Sequence, residues 1–173
     1  IYRPVKLVLT GEDWIDPWKT FIRTTELSED KATIDVTVGS GSPLDAQLGF
    51  EVEIRDAKGK LVGQQHVSEV DNNGESRMTF TIDKPQPWTP ETPYLYKAHI
   101  KYMQNGQLLD ATTQTFGIRT VTVSKEGGFQ LNGVTRKLKG VCLHHDLGPL
   151  GAAINKAALI RQIKTMKEMG CDA

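Results

Sequence analysis

Long apolar runs are absent from this 173-residue chain, so no segment reaches the length that a membrane span needs. An excess of one charge is absent too. The 21 lysines and arginines stand against 21 aspartates and glutamates, which argues against a surface built to hold nucleic acid or acidic lipid. Only two cysteines occur, Cys142 and Cys171, too few for a disulfide scaffold. No phosphate-binding glycine loop, nucleophile elbow or zinc-protease motif is present, and no internal repeat or low-complexity stretch. What remains is 38% apolar residues and a mean hydropathy of −0.37, the composition of a folded globular chain. There is no signal-peptide pattern, and residue 1 is Ile rather than Met, a start that either trimming or processing of a longer chain produces.

Residues 15–123 alternate apolar and polar positions in short runs. Ala32, Ile34, Val36 and Val38 form one such face. Leu48, Phe50, Val52 and Ile54 form a second, Met78, Phe80 and Ile82 a third, and Tyr94, Tyr96, Ala98, Ile100 and Tyr102 a fourth. A period of two buries one face and wets the other, as antiparallel sheets require. Turn signals separate the runs at Asp56–Gly59, Asn72–Gly74 and Asn105-Gly106. About seven short strands over roughly 110 residues predict a mainly β fold, an immunoglobulin-like antiparallel β-sandwich. Four prolines in Lys84–Pro93 exclude a central strand there. That stretch is expected to cross between the sheets, with Trp88 as a packing plug.

The C-terminal part reads differently. Asn132-Gly133 signals a hairpin, and an apolar strand is expected over Leu138–Leu143, ending in His144, His145 and Asp146. A helix is expected over 155–170, with Asn155 as N-cap and Gly170 just past its end. Leu159, Ile160, Ile163, Met166 and Met169 share one stripe of it. A strand that ends in titratable residues and leads into a helix is the opening unit of a parallel α/β fold, where chemistry gathers at strand C-termini. One such unit cannot bury itself. Cys142 and Cys171 then fall about four residues out of register, roughly 13 Å along the strands, so they are expected to be buried, unpaired thiols.

Candidate chemistry is sparse. His144, His145 and Asp146 form the one dense titratable cluster beside an apolar strand; a substrate-binding edge, a metal site and a plain polar loop all fit. His66 and His99 sit in strand patterns and are expected to be structural or solvent-facing. Trp14, Trp18, Trp88 and the tyrosines could stack on sugar rings or fill the core and its seams. Glu51 and Glu53 share a face and could imitate a carboxylate pair, or form the wet side of a sheet.

Four segments together resemble glycoside hydrolase family 2, the β-galactosidases, β-glucuronidases and β-mannosidases. Ile1-Tyr2-Arg3-Pro4-Val5 resembles the strand that closes the family's jelly-roll domain. Trp88-Thr89-Pro90-Glu91-Thr92-Pro93-Tyr94-Leu95-Tyr96 resembles its Trp-Ser-Pro-Glu-x-Pro-x-Leu-Tyr signature. Phe116-Gly117-Ile118-Arg119-Thr120 resembles the Phe-Gly-Phe-Arg strand that ends the sandwich, and Phe129 to Gly151 resembles the start of the catalytic barrel.

The resemblance implies residues 1–11 as the last strand of a jelly-roll sugar-binding domain, 12–123 as the sandwich, and 124–173 as the first strand and helix of a truncated (β/α)8 barrel. It implies a parent that is a retaining β-glycosidase, β-galactosidase first among the family's activities, with both catalytic glutamates beyond Ala173. This chain is then inactive by itself, and its sandwich is a spacer. His144 falls where the family contacts sugar hydroxyls, with His145 and Asp146 following in a variable stretch. Cys142 replaces an Asn that the family often carries. The implied partner is a carbohydrate substrate, with no nucleic acid and no membrane; a homo-oligomer or a swapped C-terminal helix is the implied self-association. No cofactor is implied for these residues, and use of a divalent or monovalent cation by the parent stays open, as does a periplasmic or secreted location. Without a barrel to face, the helix is expected to dock loosely, swap or lack order. A stand-alone immunoglobulin-like module that binds carbohydrate or protein is the alternative.

Overall fold

The computed structural model describes residues 5–41, 48–68, 70, 71, 73–144 and 147–173. Seven strands form two antiparallel sheets. β1 (Phe21–Leu27), β2 (Lys31–Gly39) and β5 (Glu75–Asp83) lie in the order β1-β2-β5. β3 (Leu48–Arg55), β4 (Leu61–Val67), β6 (Tyr96–Gln104) and β7 (Gln107–Phe116) lie in the order β4-β3-β6-β7. The chain changes sheet after β2, after β4 and after β5, the crossing pattern of an immunoglobulin-like sandwich.

Period-two alternation puts the core where the sequence placed it. Ala32, Ile34, Val36 and Val38 of β2 are fully buried, and Met78, Phe80 and Ile82 of β5 sit beside them. Phe50, Val52 and Ile54 of β3 and Tyr96, Ala98, Ile100 and Tyr102 of β6 close the layer from the opposite sheet. Each large apolar side chain so removed from water contributes about 1.5–3 kcal/mol. Phe50 stacks on Tyr102 with ring centroids 4.8 Å apart, and the buried Tyr102 hydroxyl donates to Ser40 Oγ at 3.1 Å.

The turns follow their residues. Asn105 and Gly106 both take positive φ, 49° and 80°, between β6 and β7, as a two-residue hairpin needs to match strand twist. Lys84–Pro93 carries no strand and spans the sheets from β5 to β6. Trp88 is half-buried; its N–H donates to the Ile118 carbonyl at 2.8 Å, which fixes the crossover against the chain leaving β7. The two ends of the sandwich are tied across 95 residues. Ile15 N–H donates to Asp110 Oδ2 at 2.9 Å, and Arg119 N–H donates to Thr24 Oγ1 at 3.2 Å.

Beyond the sandwich, β8 (Val121–Ser124), β9 (Gly128–Leu131) and β10 (Val134–Thr135) make a separate small sheet, with Asn132-Gly133 at its tight turn. β8 pairs with β9 rather than with either large sheet. Residues 136–144 form no strand ladder, unlike the expected strand over Leu138–Leu143. One strand neighbour is too little to build one: Val141 N–H donates to the Ala173 carbonyl at 3.0 Å and Ala173 N–H to the Lys139 carbonyl at 3.2 Å. These two bonds place Gly140 opposite Ala173 in parallel sense. Cys142 and Cys171 are thereby four residues out of register, as expected. They are not the buried thiols that the sequence suggested: Cys142 is exposed and Cys171 half-buried, because nothing among the described residues covers this segment.

The helix forms as α1 (Lys156–Glu168). Asn155 caps it by accepting from Ala158 N–H at 3.0 Å, and Gly170 takes φ 85° past its end. Its stripe finds little cover. Leu159 and Met166 are half-buried, but Ile160, Ile163 and Met169 are 43%, 57% and 72% exposed. The helix buries little apolar surface, as expected of a unit that cannot bury itself. Residues 5–10 pair with no strand, and Val5, Leu7, Val8 and Leu9 lie exposed.

Candidate functional site

The segment after β10 carries the candidate cluster. Arg136 N–H donates to the Phe129 carbonyl at 2.9 Å, which launches the chain away from the small sheet. Leu138, Val141 and Leu143 are all about half exposed, and His144 at the segment's end is exposed as well. His145 and Asp146 lie outside the described residues. Among the described residues no group of three or more His, Cys, Asp and Glu side chains converges to hold a metal ion.

The other candidates resolve into packing and ion pairs. His66 is exposed, and the His99 ring hydrogen-bonds Thr113 Oγ1 at 2.9 Å. Glu51 and Glu53 share Lys101, whose Nζ lies 2.9 Å from one and 3.4 Å from the other, and Glu53 also pairs with Arg55 at 2.6 Å. The Arg55 hydrogen bond, aided by Lys101, holds the Glu53 carboxyl below its usual range. Both carboxylates are thus engaged by cations across the surface of the β3–β6 ladder, and the cluster stabilises that sheet face.

The tryptophans do not form a platform. Trp18 is 95% exposed on a 3-10 turn, Pro17–Lys19, while Trp14 sits against Gly41. Trp88 borders a groove of about 610 Å³ between the edge strands β1 and β7, with Phe21, Gln114 and Arg119. The Arg119 guanidinium covers its ring at 4.5 Å, and Gly117 presses against its base. The indole is a plug, as the proline-rich crossover suggested.

A charged cluster that the sequence did not disclose ties the C-terminal unit to the crossover. Arg136 forks onto both carboxylate oxygens of Glu91 and reaches Asp172 Oδ1 at 3.0 Å. Arg136 hydrogen bonds draw the Glu91 carboxyl down to about 2 and lower that of Asp172. Lys167 Nζ donates to the Pro90 carbonyl at 3.3 Å. Glu91 stands out as the acidic residue of the Trp88–Tyr96 motif, yet its partner lies 45 residues on, where no spacing rule reaches.

Comparison with known proteins places this geometry. Residues 18–119 match the sequence profile of the glycosyl hydrolases family 2. A β-galactosidase of Bacteroides ovatus is 37% identical over 99% of this chain and 21% of its own length. A β-glucuronidase of Bacteroides fragilis is 26% identical over all of this chain and 26% of its own. Among solved structures, a glycosyl hydrolase family 2 member from Bacteroides cellulosilyticus superposes with a TM-score of 0.85 at 32% identity, over 94% of this chain and 23% of that one. A β-glycosidase from Bacteroides vulgatus gives a TM-score of 0.86 at 26% identity, over 98% and 22%. The chain thus spans about a fifth to a quarter of the length of these relatives.

Proposed function

This chain belongs to glycosyl hydrolases family 2, and on that footing we propose that it is the non-catalytic middle of a retaining β-glycosidase. Residues 1–11 end a sugar-binding jelly roll, 12–123 form a spacer sandwich, and 124–173 open the catalytic barrel. The observation that carries this reading is the parallel placement of Gly140 opposite Ala173 with α1 between them. Strand, helix and parallel strand is the unit from which such barrels are wound. The exposed stripe of α1 and the half-exposed Leu138, Val141 and Leu143 are the faces that further units of the barrel would cover.

Retaining hydrolysis needs two carboxylates about 5–5.5 Å apart, one a nucleophile and one a proton donor that later acts as base. The neighbouring carboxylates Glu51 and Glu53 are held by Lys101 and Arg55 and cannot serve. In this reading, which rests on the family resemblance, both catalytic groups are supplied by later strands of the barrel. The contribution of this chain to chemistry is His144, at the end of the first barrel segment, as a hydrogen-bonding contact to sugar hydroxyls; His145 and Asp146 extend that contact. A terminal β-galactoside is the proposed substrate, with a β-glucuronide as the competing one. The similarity to a β-galactosidase at 37% identity supports the first.

The test is a paired assay. The full-length parent should release the aglycone from a chromogenic β-galactoside faster than from the matching β-glucuronide, while the 173-residue chain releases none from either. Turnover by the short chain, or no glycosidase activity in the parent, would overturn the proposal. Micromolar binding of an oligosaccharide by the short chain would instead identify a self-sufficient binding module.

A further inference from the structure

Arg136 stands where three parts of the chain meet. Nη1 and Nη2 donate to the two oxygens of Glu91, Nη1 at 3.2 Å, in the fork that suits a guanidinium and a carboxylate. Nη2 also donates to Asp172 Oδ1 at 3.0 Å. Asp172 grips the Lys139 peptide from both sides: its N–H donates to the Lys139 carbonyl at 2.7 Å, and its Oδ2 accepts from the Lys139 N–H at 3.4 Å. Glu91 belongs to the sandwich crossover, Asp172 to the tail after α1, and Lys139 to the segment that runs to His144.

The anchor is stiff. Pro90 and Pro93 restrict the backbone on either side of Glu91. Trp88, three residues back, is pinned by its bond to Ile118 and by Arg119. The Arg136 and Asp172 side chains are 29% and 15% exposed, while the Glu91 side chain is 62% exposed, so the Asp172 arm of the cluster is the shielded one. A planar guanidinium fixes direction as well as distance, which an ammonium cannot. Little apolar burial competes to set the orientation, because α1 has no buried residue.

We propose that Arg136 is a positioning residue: its fork to Glu91 and its bond to Asp172 fix the direction in which residues 137–144 and α1 leave the sandwich, and so the place of His144. The last clause rests on the reading of His144 given above, and the two parts are tested separately.

The first test uses residual dipolar couplings on the 173-residue chain. In the wild type, the α1 amides should fit the same alignment tensor as those of β2 and β6. In Arg136→Lys, which keeps the charge and loses the fork, the α1 couplings should collapse while the sandwich couplings persist. Glu91→Gln should do the same. Unchanged α1 couplings in both variants, or an α1 that already fails the sandwich tensor in the wild type, would overturn the positioning role. The second test uses the full-length parent. There Arg136→Lys should lower kcat/KM by up to about a hundredfold, as misplacement of a contact group by an ångström does, with an unchanged pH profile. In a His144→Ala background it should lower it no further, since the two act as one unit. Fully additive losses would sever Arg136 from His144 and leave the first result standing.

Discussion

Gly117 and Trp88 are packed backbone to side chain: a Cβ on Gly117 would lie 2.7 Å from Trp88 Cβ and 2.8 Å from Cγ. Both atoms are near the Trp88 main chain, so neither can swing aside. Gly117→Ala is expected to cost about 1–3 kcal/mol through overpacking. Denaturant unfolding of the 173-residue chain measures it, and an unchanged midpoint would show that the plug yields.

Lys84 enters the crossover at φ 45°, a left-handed backbone that a Cβ disfavours. Its N–H donates to the Asp30 carbonyl at 2.7 Å, which keeps it there. Lys84→Gly removes the steric cost and should raise stability by up to about 1 kcal/mol, the reverse of the usual glycine effect. A lower thermal midpoint would refute this.

The Arg136 cluster sets a pH window. Arg136 holds Glu91 at about 2, below its ordinary 4.5, and lowers Asp172 as well. A depressed carboxylate stabilises the folded arrangement fully above its unfolded pKa and loses that contribution as pH falls through the folded value. Anchoring of α1 should therefore be constant from pH 7 to about 4.5, weaken below, and be gone near 2. Amide relaxation of α1 relative to β2 across that range is the measurement; release of α1 already between pH 7 and 5 would contradict it.

Ile160 and Ile163 are 43% and 57% exposed on α1. Replacing both by lysine should change the stability of the 173-residue chain by less than about 0.5 kcal/mol, as for ordinary surface positions. The same pair in the full-length parent should abolish activity, because the proposed barrel would close over that stripe. Equal tolerance in both would contradict the barrel reading.

The sandwich was legible in the sequence because each of its faces repeats every second residue. Ala32 to Val38 and Phe50 to Ile54 announce their burial without help from distant residues. Local chemistry likewise fixed the Asn105-Gly106 turn and the Asn155 cap. What stayed hidden depends on neighbours far along the chain. The 138–143 segment is apolar enough for a buried strand, but burial needs strands on both sides, and among the described residues its backbone meets only Asp172 and Ala173. Cys142 is exposed for the same reason. The resemblance to a glycosidase family picked out Trp88 to Tyr96 as a signature; the partner of Glu91 within it is a matter of three-dimensional proximity alone. His144 was readable as a position at the end of an apolar run, and the role proposed for it rests on the family resemblance.

Two hydrogen bonds, from Ile15 to Asp110 and from Arg119 to Thr24, each join residues 95 apart. Neither can form until β7 and the turn after it exist, so the sandwich closes late during synthesis. At 5–20 residues per second a ribosome needs about 5–20 s to make the stretch between them. Folding of a sandwich with such distant pairings takes milliseconds to seconds. Translation rather than folding thus times the closure. Within that time, the stretch from Gly39 to Asp83 takes about 2–9 s at the same rate, and until it is made β2, with four side chains meant for full burial, has only β1 beside it in its sheet, which leaves the nascent chain open to chaperones and to misassociation.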